Sequence, residues 1–236
     1  LFYFPIKMKK IFLILVIFLI LSQLIESRYR PFKVKKSTSP PVIVHKFTQQ
    51  QYEFDQIVDH SNYQVTNYYK QRYWVVNDYF VPRVGPVYIF LCGEWICTGI
   101  DEYRQWILTL AQKTLGLVIV LEHRFYGESL PFGKESFKIE NMKLLTSERS
   151  LSDIAYFIKQ MNTNKMYGIS KNPWVTVGGS YPGALSAWFR YKYPHLTIGS
   201  IASSAVVQVI ENYQDFDYQM YLSAMKSGDY CQKAIN

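Results

Sequence analysis

Trp174-Val175-Thr176-Val177-Gly178-Gly179-Ser180-Tyr181-Pro182-Gly183-Ala184-Leu185 opens as a strand and closes as a helix. The first four residues are apolar or β-branched, two glycines break the run, and residues 181–193 carry Leu185, Trp188 and Phe189 at helical spacing. A serine between a buried strand and a helix is the setting of a nucleophile turn. The turn is so tight that small neighbours are needed, and the hydroxyl projects beyond the strand's C-terminal end. The helix that follows presents its N-terminus, so the Tyr181 amide is placed to donate to a developing oxyanion. Pro182 holds the fifth position, so the pentapeptide is not a strict G-x-S-x-G match. The competing reading of the same residues is a glycine-rich turn whose serine caps a helix.

Outward from that turn, strands and helices alternate. Tyr52–Val58 and Arg72–Phe80 are rich in aromatic and β-branched residues, and Asp59-His60-Ser61-Asn62 between them is turn chemistry. Pro86–Leu91 and Leu117–Leu121 are near-continuous apolar runs, as strands covered on both faces should be. Tyr103, Trp106, Ile107, Leu110 and Ala111 predict one face of a helix. Leu151, Ile154, Ala155 and Ile158 predict another, capped by Thr146 or Ser147. Ile198–Ala205 resumes as strand, and beyond Val206 the sequence turns Tyr- and Asp-rich without a clear period. This order predicts an α/β fold of the α/β-hydrolase type, a mostly parallel sheet flanked by helices. The Cys92-Gly93-Glu94 loop then follows the strand beside the elbow strand, which nominates the Glu94 backbone as a second oxyanion donor.

With 49% hydrophobic and 19% charged residues, the 236-residue chain is too apolar to be disordered. Met8-Lys9-Lys10, the apolar run Ile11–Leu21 and the more polar Ser22–Ser27 have the layout of a signal peptide, with residues 1–7 upstream of it. The run is shorter than the roughly 20 residues that span a bilayer, so no stable membrane anchor is expected. The net charge of +8 is concentrated at this end: residues 1–36 hold eight Lys/Arg and one acid, leaving 18 bases and 17 acids in the remainder. No basic stripe is left to grip phosphates, which argues against nucleic acid as a partner. The expected divisions are 1–27 (upstream residues plus signal peptide), 28–50 (tail or pro-segment), 51–206 (N-terminal part of the hydrolase domain) and 207–236 (an insertion). An oxidising compartment permits disulfides, and Cys92 and Cys97 are close enough to close a small loop, whereas Cys231 has no evident mate. A zinc site is the weaker use of these thiols, because no second Cys or His pair lies nearby.

The longer run Gly178–Arg190, followed by Tyr193-Pro194-His195 and Ala202-Ser203-Ser204-Ala205-Val206, resembles the S28 family of serine peptidases. Glu122-His123-Arg124-Phe125-Tyr126-Gly127-Glu128-Ser129-Leu130-Pro131-Phe132 is a second block of that resemblance. Leu144-Leu145-Thr146-Ser147-Glu148 is a third, and Phe54-Asp55-Gln56 with Asp59-His60 a fourth. The resemblance implies a serine exopeptidase acting on peptides near proline, in the lysosome or vacuole or outside the cell. It implies that residues 207–236 begin a truncated helical cap, and that the triad Asp and His lie beyond the C-terminus of this sequence. Cys231 fits a chain that stops inside the cap.

The acid and base follow the serine in this fold. Only His195 does so here, fifteen residues on and past the intervening helix, on the order of 20 Å away at 1.5 Å per residue. That is outside hydrogen-bond reach. His123 ends a neighbouring strand and is read as structural, paired with Glu122 or Arg124; His45 and His60 receive no role. Two rival functions stand beside the peptidase: a lipase or esterase on the same fold, and a truncated lumenal protein that binds without catalysis. No metal or organic cofactor is implied, the expected partner is a peptide substrate, and a homodimer is left open. Carboxypeptidase and dipeptidyl peptidase specificity are not separable at this level.

Overall fold

In the computed structural model, residues 46–231 are described, apart from 63, 65, 66 and 229. The expected signal peptide and nearly all of the tail lie outside that range. Six strands form one sheet in the order β1-β2-β4-β3-β5-β6. Strands β1 (Gln50–Ile57) and β2 (Tyr68–Val76) are antiparallel to their neighbours, whereas β3 (Val87–Leu91), β4 (Leu117–Leu121), β5 (Trp174–Gly179) and β6 (Gly199–Ser203) run parallel. This is the mostly parallel sheet of an α/β-hydrolase.

Helices cover both faces because the strand side chains alternate. Val87, Ile89, Leu91, Leu117, Ile119 and Leu121 point to one side. There they pack with Leu151, Ile154, Phe157 and Ile158 of α3 (Ser147–Thr163) and Leu185 and Phe189 of α4 (Tyr181–Lys192). Tyr88, Phe90, Val118 and Val120 point to the other, against Ile107, Leu108 and Ala111 of α1 (Trp106–Thr114). Strands buried on both faces have no polar side to show, which is why β3 and β4 read as unbroken apolar runs.

Several expected boundaries move. The first helix starts at Trp106: the Asp101 carboxylate accepts from the amides of Tyr103 and Arg104, a turn that delays the helix. Tyr103 is therefore outside it and 83% exposed, and Trp106, expected on the inner face, is 47% exposed. The second strand is Tyr68–Val76 rather than Arg72–Phe80, because the chain turns at Asn77, whose carbonyl accepts from Phe80. Gly178 and Gly179 do not interrupt the fifth strand; they pair with Ala202 and Ser203 of β6. Thr146 is the cap of α3, its hydroxyl accepting from the Arg149 amide. A short helix α2 (Ile139–Met142) precedes it, and the aperiodic region after Val206 contains a helix, α5 (Gln214–Met225), in which only Ala224 is buried.

Candidate active site

The topology selects one place on the molecule for a site. From β3 the chain crosses one face to β4, on one side; after β5 it crosses the opposite face to β6, on the other side. The loops leaving β3 and β5 therefore diverge over a crevice between two adjacent strand ends, where open α/β sheets bind ligands. Those two loops carry Glu94 and Ser180.

Ser180 stands between β5 and α4 with φ 58 and ψ −129, outside the conformations that L-residues prefer. The turn is held from both sides: the Ser180 amide donates to the Ser203 carbonyl at 2.9 Å, and the Ser180 carbonyl accepts from Ala184 at 3.0 Å. A Cβ on Gly178 would lie 2.2 Å from the Pro182 carbonyl oxygen, so the strand has to be bare where the helix folds back on it. Ser180 is exposed and its hydroxyl makes no capping bond to α4. The capping alternative for this serine is thus not the arrangement seen. The Tyr181 amide belongs to the first turn of α4, whose donors have no intrahelical acceptor.

Across the crevice, the loop after β3 is closed by a Cys92–Cys97 disulfide, with Cα atoms 6.0 Å apart. Gly93 is pressed against the elbow: a Cβ there would lie 2.7 Å from the Pro182 ring. Proline at 182, the departure from the strict pentapeptide, thus occupies space that a side chain at 93 would need. Glu94 follows, and lines an open cleft with His123, Tyr126, Leu145, Thr146, Ser147 and Tyr181. Tyr181 and Glu94, nominated for their backbone amides, both line this cleft, and Ser180 is not among its lining residues. Cys231 is free and exposed.

Behind the crevice lie two buried ion pairs. Glu122, fully buried, accepts from Arg72 Nε and Nη2, from the amides of Cys97, Glu128 and Ser129, and from the Ser129 hydroxyl. It ties the disulfide loop to the end of β4. Asp153 Oδ2 accepts from Arg124 Nε at 2.6 Å and from the Tyr69 hydroxyl at 3.2 Å, and its Oδ1 accepts from Arg124 Nη2 at 2.7 Å and lies 2.7 Å from His60 Nε2. Burial alone would raise the Asp153 carboxyl; Arg124 and His60 outweigh it and hold it below its ordinary value.

None of the described histidines is bonded to Ser180. His123 pairs with Arg124, one of its two expected partners, though through the main chain: Nδ1 meets the Arg124 backbone carbonyl at 2.7 Å, and Nε2 meets the Tyr181 hydroxyl, which was not expected, at 3.1 Å. The Arg124 guanidinium is committed to Asp153 and Glu122 to Arg72, so neither side chain is open to the ring. His60 faces Asp153, and His195 is exposed, its ring 6.3 Å from that of Tyr193. Asp153 and the Tyr181 phenol had no signal in the sequence, whereas Arg124 and His123, their partners, both lie in the block 122–132.

The family model described as Serine carboxypeptidase S28 matches residues 56–236. A relative in Arabidopsis thaliana named "Probable serine protease EDA2" is 44% identical over 77% of this chain and 37% of its own. The mouse Lysosomal Pro-X carboxypeptidase is 32% identical over 84% of this chain and 40% of its own. The human Thymus-specific serine protease is 34% identical over 73% of this chain and 33% of its own. This chain therefore spans two fifths or less of the length of these relatives.

Proposed function

The chain belongs to the serine carboxypeptidase S28 family, and from that premise we propose that the full-length protein is a serine exopeptidase that cleaves peptides near proline, with Ser180 as nucleophile. The observation that carries the reading is the Ser180 turn: an exposed serine in a strained conformation, uncapped, at the crevice where the sheet's crossovers diverge. In this mechanism the hydroxyl attacks the scissile carbonyl, and the amides of Tyr181 and Glu94 receive the oxyanion. A histidine, oriented by an aspartate, takes the serine proton and returns it to the leaving amine. In this proposal both lie in the part of the full-length protein that this sequence does not span. Residues 207–236 with α5 begin the helical cap, the Cys92–Cys97 disulfide suits an oxidising compartment, and the lysosome or the secretory route is the place of action.

The substrate class is tested with the purified full-length protein, offered a short proline-containing peptide and a short-chain acyl ester. Peptide cleavage next to proline that vanishes in Ser180→Ala is the expected result. Ester hydrolysis with no peptide cleavage would move the protein to the esterase reading.

A further inference from the structure

We infer that His123 is a positioning residue for the oxyanion turn, holding the Tyr181 phenol and, through it, the amide that follows Ser180. The inference rests on the reading of Ser180 and Tyr181 given above.

The direction of each hydrogen bond follows from the partners. A carbonyl only accepts, so His123 Nδ1 carries the proton it donates to Arg124, at 2.7 Å. In the neutral ring Nε2 is then the bare nitrogen and accepts the Tyr181 phenolic proton, at 3.1 Å. With its proton committed, the Tyr181 oxygen accepts from the Ser147 hydroxyl, at 3.0 Å. The chain of donation runs from Ser147 through Tyr181 and His123 to the Arg124 carbonyl.

Three segments meet in that chain: the first turn of α3 through Ser147, the loop just after β4 through His123, and the first residue of α4 through Tyr181. His123 is a firm anchor. It is 4% exposed, and its ring is flanked by Tyr126 and Tyr181 at centroid distances of 5.3 and 5.6 Å. Tyr181 needs one, because its amide lies in the helix turn that lacks intrahelical acceptors and is the most prone to fray. The other side of the turn is already fixed by the Ser180–Ser203 bond and by Pro182 against Gly93. The phenol is the remaining constraint, and it pulls on the residue whose amide must meet the oxyanion. A displacement of about 1 Å at such a position can cost roughly 10²-fold in rate.

The test is a double-mutant cycle in the full-length enzyme, with rates expressed per serine labelled by a fluorophosphonate. Tyr181→Phe and His123→Ala should each lower kcat roughly 10-fold to 10²-fold with KM little changed, and the double variant should be no slower than the worse single. His123→Gln should recover much of the loss, since its amide oxygen can accept the phenolic proton. The inference is overturned if kcat per labelled site is unchanged while only the melting temperature falls, or if the two losses multiply. Failure of the underlying Ser180 reading is seen separately, in the wild-type protein, as label on another residue; that result removes this inference too.

Discussion

At the scale of single residues, burial decides which charges matter. Asp153 is 1% exposed and Arg124 fully buried, so removing the carboxylate strands a guanidinium without its counter-ion. Asp153→Ala should cost about 3–5 kcal/mol by urea denaturation. Asp55, 65% exposed opposite Lys70, should cost under about 1 kcal/mol when changed to Ala. Equal losses would contradict this account of the buried pair. His123 gives a pH dependence with a definite sign. Burial lowers its pKa from the ordinary 6.5, against the opposing pull of its Arg124 carbonyl bond, and Arg124, Asp153, Glu94, Tyr126 and Tyr181 are the ionisable groups around it. Below pH 6.5 the unfolded ring takes up a proton that the folded ring resists, so the unfolded state binds more protons and stability falls as the pH drops toward the lowered value. His123→Gln should flatten the part of the melting-temperature slope that lies below pH 6.5; an unchanged slope there would show that the ring does not titrate as argued. The residue scale is also where sequence reading fell short. The turn at Ser180 was legible because its neighbours are a strand, glycines and a helix. Of the partners of His123, Arg124 was among those expected, whereas Tyr181, 58 residues away, was not.

At the scale of elements, the loop after β3 and the elbow after β5 form one packed unit. Gly93 and Pro182 share a space that admits only one side chain, so Gly93→Ala should cost about 1–3 kcal/mol by overpacking. Pro182→Ala should relieve it: the double variant is expected to be more stable than Gly93→Ala alone, and a double variant that is worse would show that the contact is not the cause. Opening the disulfide in Cys92→Ser/Cys97→Ser removes a loop constraint between residues five apart, for which chain entropy gives about 2 kcal/mol. Apolar periodicity placed β3, β4, α3, β5 and α4 to within a few residues. It misplaced the start of α1 because the Asp101 turn overrides the apolar spacing of Tyr103 and Trp106. It gave no helix at 214–225 because nearly all of that helix is exposed, and exposure leaves no hydrophobic stripe to read.

At the scale of the whole molecule, the strand order does what no single motif can: it puts the loops after β3 and β5 side by side over one crevice. The described imidazoles are engaged elsewhere or lie past the end of α4, and on that ground residues 28–236 alone are expected to turn over no peptide. Turnover by that piece at an ordinary enzymatic rate would mean that a base acts from within it. The most direct test of the central claim, that Ser180 is the nucleophile of an S28 peptidase, is mass spectrometry of the full-length protein after reaction with a fluorophosphonate. The predicted result is one adduct on Ser180, with labelling and peptide cleavage both lost in Ser180→Ala; an adduct on another serine, or cleavage that survives the substitution, would contradict it.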